Sequence, residues 1–233
     1  MIKKSIIIGF DLSYSSTGIT VSYLEDNVGK SIKFYRILFD DNSNKTDKVY
    51  KPQEIKNVNS LTYRMPTNIL ISDMVFDMSD TNNLEQCDAT LKSLILCKKI
   101  GKIIAEALAI YNPTEAIFCI ENYIMPSYTG KTQLKTVSGL IMLQAFVREV
   151  IIKLCLDLKI SLKLFTPTPS SNKLFFTRDG NADKTKMLKI FLEEYEGNKL
   201  LPSVTINSVA HINDVIDSFA LCMYAYSKIS KEK

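Results

Sequence analysis

Ser5-Ile6-Ile7-Ile8-Gly9-Phe10-Asp11 is a β-rich apolar run that ends in a carboxylate. After a polar turn over Ser13 to Gly18, two more runs of strand character follow, Ile19 to Leu24 and Ile32 to Phe39. Glu25-Asp26-Asn27-Val28-Gly29 forms the hairpin turn between them. Beyond this meander the period changes. Leu91, Leu94, Ile95, Ile100, Ile103, Ile104 and Leu108 recur at helical spacing, which predicts a long helix from about Leu84 to Tyr111, stopped by Asn112-Pro113. Ala116-Ile117-Phe118-Cys119-Ile120 is continuous and apolar, the pattern of a strand buried on both faces, and it too runs into an acid, Glu121. A second long helix is predicted from about Thr132 to Leu158, and a strand from Ser161 to Phe165 that Pro167 and Pro169 terminate. Shorter helices at about 170–176 and 183–195 precede a last one at about 209–228. Strands first, then strands alternating with helices, specify an α/β domain with a mixed sheet: an antiparallel meander joined to helical crossovers.

Composition narrows the class. At 233 residues and 46% hydrophobic, the chain suits one well-cored domain over 1–233, with residues 40–83 (polar, then ambiguous around Pro66) as a long loop or insertion. No window approaches 18 apolar residues and the N-terminal apolar run is too short for a secretory signal, so a membrane span is not expected and a cytoplasmic setting is. The five cysteines have no C-x-x-C spacing and there is one histidine, which argues for reduced, buried thiols and against zinc. Four of the 29 basic residues are arginines, Arg36, Arg64, Arg148 and Arg178. The lysine, isoleucine and asparagine bias fits an AT-rich coding genome, such as that of a phage, a virus or a low-GC microbe. Net charge is only +4, but it is uneven: Lys159, Lys163, Lys173, Arg178, Lys184, Lys186 and Lys189 face only Asp179 and Asp183 within one stretch. Such a patch either attracts phosphates or is an ordinary solvated face.

Two strands ending in acids matter because ligands of open α/β sheets gather at the C-terminal ends of strands. Two further acids, Asp214 and Asp217, lie three apart and hence on one face of the last helix. They point away from its stripe of Ile212, Val215, Ile216, Phe219, Met223 and Tyr226, so they either face water or sit beneath a second covering layer. Four carboxylates brought together repel one another and need cations. Oxygen-only ligands select Mg²⁺ or Mn²⁺. Two such ions roughly 4 Å apart would activate a water and stabilise the leaving oxygen of a phosphodiester.

Gly9-Phe10-Asp11-Leu12-Ser13-Tyr14-Ser15-Ser16-Thr17-Gly18 resembles the first motif of the RuvC family of Holliday-junction resolvases. In the family's order follow Ile120-Glu121, Gly139 within the second long helix, Pro169 to Lys173 with Thr177 and Gly180-Asn181-Ala182-Asp183-Lys184, and the Asp-x-x-Asp helix Asn213-Asp214-Val215-Ile216-Asp217-Ser218-Phe219-Ala220. The resemblance implies a ribonuclease H-like fold: a mixed five-stranded sheet, three antiparallel strands and then parallel ones, flanked by helices. It implies a homodimer, and hydrolysis of a phosphodiester with two Mg²⁺ (or Mn²⁺) ions per site. Matched to its motifs, Asp11, Glu121, Asp214 and Asp217 are the metal ligands, and Lys173 and Lys184 meet phosphates beside the scissile bond, with Lys184 also stabilising charge in the reaction.

The chain departs from the family pattern at Leu12, often Pro there, and at Arg178, often Gly. An aromatic residue that stacks on an opened base is commonly placed three residues after the glutamate. Here that position is Ile124, which leaves Tyr123 or Tyr128 for the role. Arg178 and Lys186 extend the DNA-binding set. His211, one turn before Asp214, either assists proton transfer or is structural. The expected activity is resolution of four-way DNA junctions by paired nicks. The competing readings are a nuclease of the same fold for flaps, forks or other branches, an actin- or sugar-kinase-type ATPase, and a junction-binding protein that does not cut.

Overall fold

The computed structural model describes residues 2–39, 56–63, 81–122, 131–202, 204–205 and 209–231. The first three strands are β1 (Lys4–Asp11), β2 (Ser16–Glu25) and β3 (Val28–Phe39), and β4 (Val58–Tyr63) follows. Helix α1 (Thr81–Tyr111), strand β5 (Glu115–Ile120), helix α2 (Lys131–Asp157) and strand β6 (Ser161–Phe165) alternate next. Then come α3 (Pro169–Thr177), α4 (Lys184–Glu194), the single turn α5 (Gly197–Leu200) and α6 (Val209–Ser230). One sheet holds all six strands in the order β4-β3-β2-β1-β5-β6. β2 runs antiparallel to both of its neighbours, β1 and β3, while β5 and β6 join the β1 side in parallel. The antiparallel meander and the parallel half are as expected.

The sheet has six strands where five were expected. The addition is β4, which pairs in parallel with β3 inside the stretch read as a long loop. Asn59, Ser60 and Leu61 on it are exposed. An edge strand that faces water lacks the apolar alternation by which strands are recognised in a sequence. The rest of that stretch, residues 40–55 and 64–80, lies outside the described residues. The polar turn after β1 is also shorter than expected, because Ser16 and Thr17 already pair with Leu38 and Ile37 of β3. Among the described residues no helix is long and apolar enough to cross a membrane.

The pleat sorts side chains by parity. On β1, Ile6, Ile8 and Phe10 enter the core shared with α1 and α2; on β5, Ala116, Phe118 and Ile120 do the same. Ile7, Ile117 and Cys119 point the other way, against Leu221, Cys222 and Ala225 of α6. By the same alternation Gly9 and Asp11 fall on the α6 side, and Glu121 follows Cys119 there. The opposite flank of α6 packs Ile212, Val215, Ile216 and Phe219 against Phe176, Leu188 and Phe191 of α3 and α4. Helix α6 is therefore covered on two sides, which answers the question its sequence left open. Its acids do not face open water.

Two glycines set how closely α6 lies on the sheet. A Cβ on Gly9 would strike the Ser218 carbonyl oxygen and come within 2.7 Å of the Cys222 backbone nitrogen. One on Gly18 would strike the backbone carbonyl of Asp214 and reach 3.0 Å from the Val215 nitrogen. Gly18 is paired with Asp11 across the β1–β2 ladder, so both glycines underlie the same end of α6. Gly139, within α2, makes room for a loop side chain. A Cβ there would lie 3.0 Å from the Tyr14 ring, whose hydroxyl donates to the Gly139 carbonyl at 2.7 Å and sits 2.6 Å from Ser93 Oγ. Tyr14 thereby ties the loop after β1 to α1 and α2.

Gly9→Ala is expected to lower the unfolding free energy by roughly 1–3 kcal/mol or more, since the obstructing atoms are backbone and cannot rotate away. Gly29→Ala, where an added Cβ meets nothing within 4 Å, is expected to stay within about 0.5 kcal/mol of the parent. Urea denaturation midpoints of the two variants check this.

Candidate active site

Asp11 is the last residue of β1 and Glu121 the first after β5. The two strands are hydrogen-bonded neighbours in parallel register, with Phe10 opposite Ile120, so both acids emerge at one level on one face. Helix α6, pressed onto that face at Gly9 and Gly18, delivers Asp214 and Asp217 to the same place. Their proximity is visible in their ionisation. Burial, then repulsion from Asp217, Glu121 and Asp214 in that order, holds Asp11 well above the usual carboxylate range, against the opposing pull of Lys184. Burial, and next Asp217, pushes Glu121 up to about 7, with Lys173 opposing. Asp217 is raised to about 6, chiefly by burial; Lys173 and Lys184 draw it down and Asp214 adds to the rise. All four sequence-predicted acids therefore form one electrostatic unit.

Asp214 differs from the others in having a cation bonded to it. Arg36 on β3 faces α6 because it is in phase with Phe34, and its Nε donates to Asp214 Oδ2 at 2.7 Å and to Ser16 Oγ at 3.1 Å. The Ser16 hydroxyl donates in turn to the same Asp214 oxygen. The ion pair is buried, with Arg36 5% and Asp214 3% exposed. Breaking such a pair by removing one partner typically costs about 3–5 kcal/mol. Arg36 and Ser16 were not singled out in the sequence. The available signal was parity: on a strand that places Ile32 and Phe34 against the α6-side core, a charged residue two positions further is aimed at the covered face.

The acids open onto a cleft of about 480 Å³ lined by Asp11, Ser13, Ser15, Ser16, Arg36, Lys184, Asn213, Asp214 and Asp217. Glu121 stands outside that lining, coupled to it through Asp217. Lys184 is the first residue of α4, behind the N-cap Asp183, whose carboxylate accepts from the Lys186 N–H at 2.8 Å. With the Asn213 amide turned to satisfy its neighbours, its oxygen accepts from Lys184 Nζ at 3.1 Å and from the Asp214 N–H at 3.2 Å. Lys173 lies on α3, which starts from the Thr168 cap with Pro169 in its first turn. Its charge acts on Glu121 and Asp217. The lysine-bearing segment thus supplies two cations that act on the acids.

Other sequence candidates are placed elsewhere or are not described. Lys186 is held in an ion pair with Asp179 at 2.7 Å, and so is engaged within its own segment. Arg178 caps the C-terminus of α3 in a left-handed conformation, its N–H donating to the Leu174 carbonyl at 2.9 Å. Its charge acts on Tyr195, where it opposes a rise caused mainly by burial. The chain there adopts φ 62°, the conformation that glycine takes at least cost. Tyr123 and Tyr128 lie outside the described residues, as does the side chain of His211.

A donor set of carboxylates without histidine or cysteine suits a hard divalent ion. Two further observations agree with that chemistry: the mutual repulsion that raises Asp11, Glu121 and Asp217, and Asp214 Oδ1, which is buried without a hydrogen-bond partner. Among the described residues no three acid, cysteine or histidine side chains stand close enough to enclose an ion.

No family model and no curated protein matches the sequence. Among solved structures, the chain is similar to Thermus thermophilus RuvC, at 12% identity and a TM-score of 0.42 over 97% of this chain and 96% of that one. It is similar to the yeast mitochondrial Holliday junction resolvase Ydc2, at 12% identity and a TM-score of 0.40 over 97% and 80%. It is also similar to the human cytomegalovirus terminase nuclease domain, Mn soaked, at 11% identity and a TM-score of 0.41 over 99% and 87%.

The raised acids give a signed expectation. Unfolded, Glu121 and Asp217 ionise near their ordinary 4.5 and 3.8; folded, they ionise near 7 and 6. Between those limits the folded state binds more protons, so their contribution to stability is complete below about pH 4 and is lost as pH rises through 6 to 7. The thermal midpoint of metal-free protein is expected to fall between pH 5 and 8, and Asp217→Asn to flatten that fall. A midpoint that rises across this window in the parent counts against the clustering.

Proposed function

We propose that this chain is a divalent-metal-dependent endonuclease that nicks branched DNA, with the four-way junction as its substrate and a homodimer as its working form. The observation that carries the reading is the meeting of Asp11, Asp214 and Asp217 at one cleft, with Glu121 in electrostatic contact with Asp11 and Asp217 and with Lys173 and Lys184 acting on the group. A dense anionic centre flanked by cations accommodates a phosphodiester only when hard cations offset the acids. Divalent ions there would lower the pKa of an attacking water and neutralise charge on the leaving oxygen. Asp11, Glu121 and Asp217 are the residues to hold them, with Asp214 completing the set. Lys184, exposed at the cleft mouth, attracts the phosphoryl oxygens and opposes the charge that builds on them. Lys173 does the same from the Glu121 side. Ser13 and Ser15 offer hydroxyls to the sugar–phosphate backbone from the loop that Tyr14 anchors.

A junction has two-fold symmetry, and paired nicks call for two sites related by the same symmetry. Ile141, Ile152 and Leu156 are exposed along one side of α2 and provide an apolar surface for a second copy. The basic α3–α4 segment lies beside the cleft, where duplex arms leaving a branch point would run, and this favours branched DNA over a small phosphate ester.

A labelled four-way junction, a flap, a fork and a linear duplex, each with and without Mg²⁺, test the proposal. Mg²⁺-dependent nicking of the junction, faster than of the other three, is expected. Equal or faster cutting of flaps or forks would assign those branches as substrate instead, and absence of Mg²⁺-dependent cutting on all four would overturn the nuclease reading. Asp11→Asn and Asp217→Asn are expected to slow cutting by at least about 100-fold while junction binding in Ca²⁺ persists. Lys184→Ala is expected to slow it by roughly tenfold and to lessen the salt dependence of binding.

A further inference from the structure

The Arg36–Asp214 pair is not built as a structural ion pair usually is. Buried guanidinium–carboxylate pairs favour the fork, two parallel N–H···O bonds that use both carboxylate oxygens. Here one nitrogen makes both contacts: Arg36 Nε reaches Asp214 Oδ2 at 2.7 Å and Ser16 Oγ at 3.1 Å. Arg36 Nη1 and Asp214 Oδ1 are each shut away from water with no hydrogen-bond partner. Both side chains are more than nine-tenths buried, and both residues line the cleft beside Asp11 and Asp217. Leaving a buried donor and a buried acceptor unpaired is costly. A pair retained only for stability would close that gap. An arrangement that must admit a further charge at this spot has a reason to leave it open.

We propose that Arg36 is an internal counter-cation that cancels the charge of Asp214 in the metal-free protein. First capture of a divalent ion therefore depends on Asp11, Glu121 and Asp217, and Asp214 joins the ligands only when its hold on Arg36 is given up. The proposal rests on the metal-dependent reading of the cleft. Its physical content is Coulombic: a fixed positive charge within a hydrogen bond of one ligand repels an arriving cation and offsets one of the four negative charges that attract it. Arg36 thereby keeps metal affinity below what four free carboxylates would give. Arginine suits this role better than lysine, because the guanidinium stays charged in a buried site.

Mn²⁺ titrations of the full chain without nucleic acid, followed by calorimetry and by the electron paramagnetic resonance signal of free Mn²⁺, test this. Arg36→Gln exposes the charge of Asp214 and is expected to bind Mn²⁺ about fivefold tighter or more. Arg36→Lys keeps the charge and is expected to stay within about twofold of the parent. Because Arg36→Gln strands a buried carboxylate and can fail to fold, the decisive protein is the double variant Arg36→Gln/Asp214→Asn, which removes both charges together. Its Mn²⁺ affinity is expected within about twofold of the parent, since an electrostatically silent pair has been replaced by a neutral one. A larger loss in the double variant would make Asp214 a ligand from the outset, and unchanged or weaker binding by folded Arg36→Gln would show that Arg36 does not oppose the ion; either result overturns the proposal. Asp11→Asn separates the two levels: if it binds Mn²⁺ as the parent does, the metal reading of the cleft fails, whereas weakened binding there with no gain in Arg36→Gln fails the counter-cation alone.

Discussion

The backbone of α6 rests directly on the backbone of β1 and β2, and the rest of the site depends on that approach. It is possible because Gly9 and Gly18 present no side chain to Ser218, Cys222 and Asp214. A helix separated from a sheet by ordinary side chains would hold its polar residues well above the strand ends. Here Asp214 and Asp217 come down to the level of Asp11, and the Thr20 and Ser218 hydroxyls lie 2.8 Å apart across the same seam. Apolar packing keeps the helix seated, with Phe219 against Phe191 and Tyr195 on one flank and Leu221, Cys222 and Ala225 against β1 and β5 on the other. Each large side chain so buried contributes roughly 1.5–3 kcal/mol. That packing opposes the repulsion among the acids that it forces together.

Charge balance explains much of what surrounds the acids. Buried carboxylates are tolerated when they are neutralised, either by taking up protons or by nearby cations. Both solutions are present. Asp11, Glu121 and Asp217 are pushed toward the protonated form, while Asp214 has Arg36 within a hydrogen bond. Lys173 and Lys184 act at longer range, one from α3 and one from α4, and both helices are packed onto the outer flank of α6. The helix that brings acids to the sheet is thus the one that brings the lysines to the acids. In contrast, Lys186 and Arg178, neighbours of these lysines in sequence, are occupied with Asp179 and with capping α3. Proximity along the chain did not translate into proximity to the cleft.

Much of this was legible beforehand. Apolar runs ending in Asp11 and Glu121 marked β1 and β5, and the Asn112-Pro113 stop marked the end of α1, because each of these signals is local. The covering of α6 on two sides was legible only as a question, since Ser218, Leu221 and Ala225 fit either a second buried face or a tolerant surface. Strand β4 was missed because its exposed residues carry no alternation. Arg36 was visible as a charged residue in phase with Phe34, but its partner lies 178 positions away and nothing local names it.

The sequence by itself determined the order of elements, the mixed character of the sheet and which four acids were candidates, because hydrophobic period, turn residues and strand-end carboxylates are written into neighbouring positions. Only the tertiary structure decided that α6 is seated on glycines, that Gly139 accommodates Tyr14, and that one of the four acids is bonded to an arginine from β3 while the others remain coupled to one another. Those are facts about distances between residues far apart in the chain. They depend on how closely backbones approach and on which charge wins a buried position, and neither quantity has a local signature.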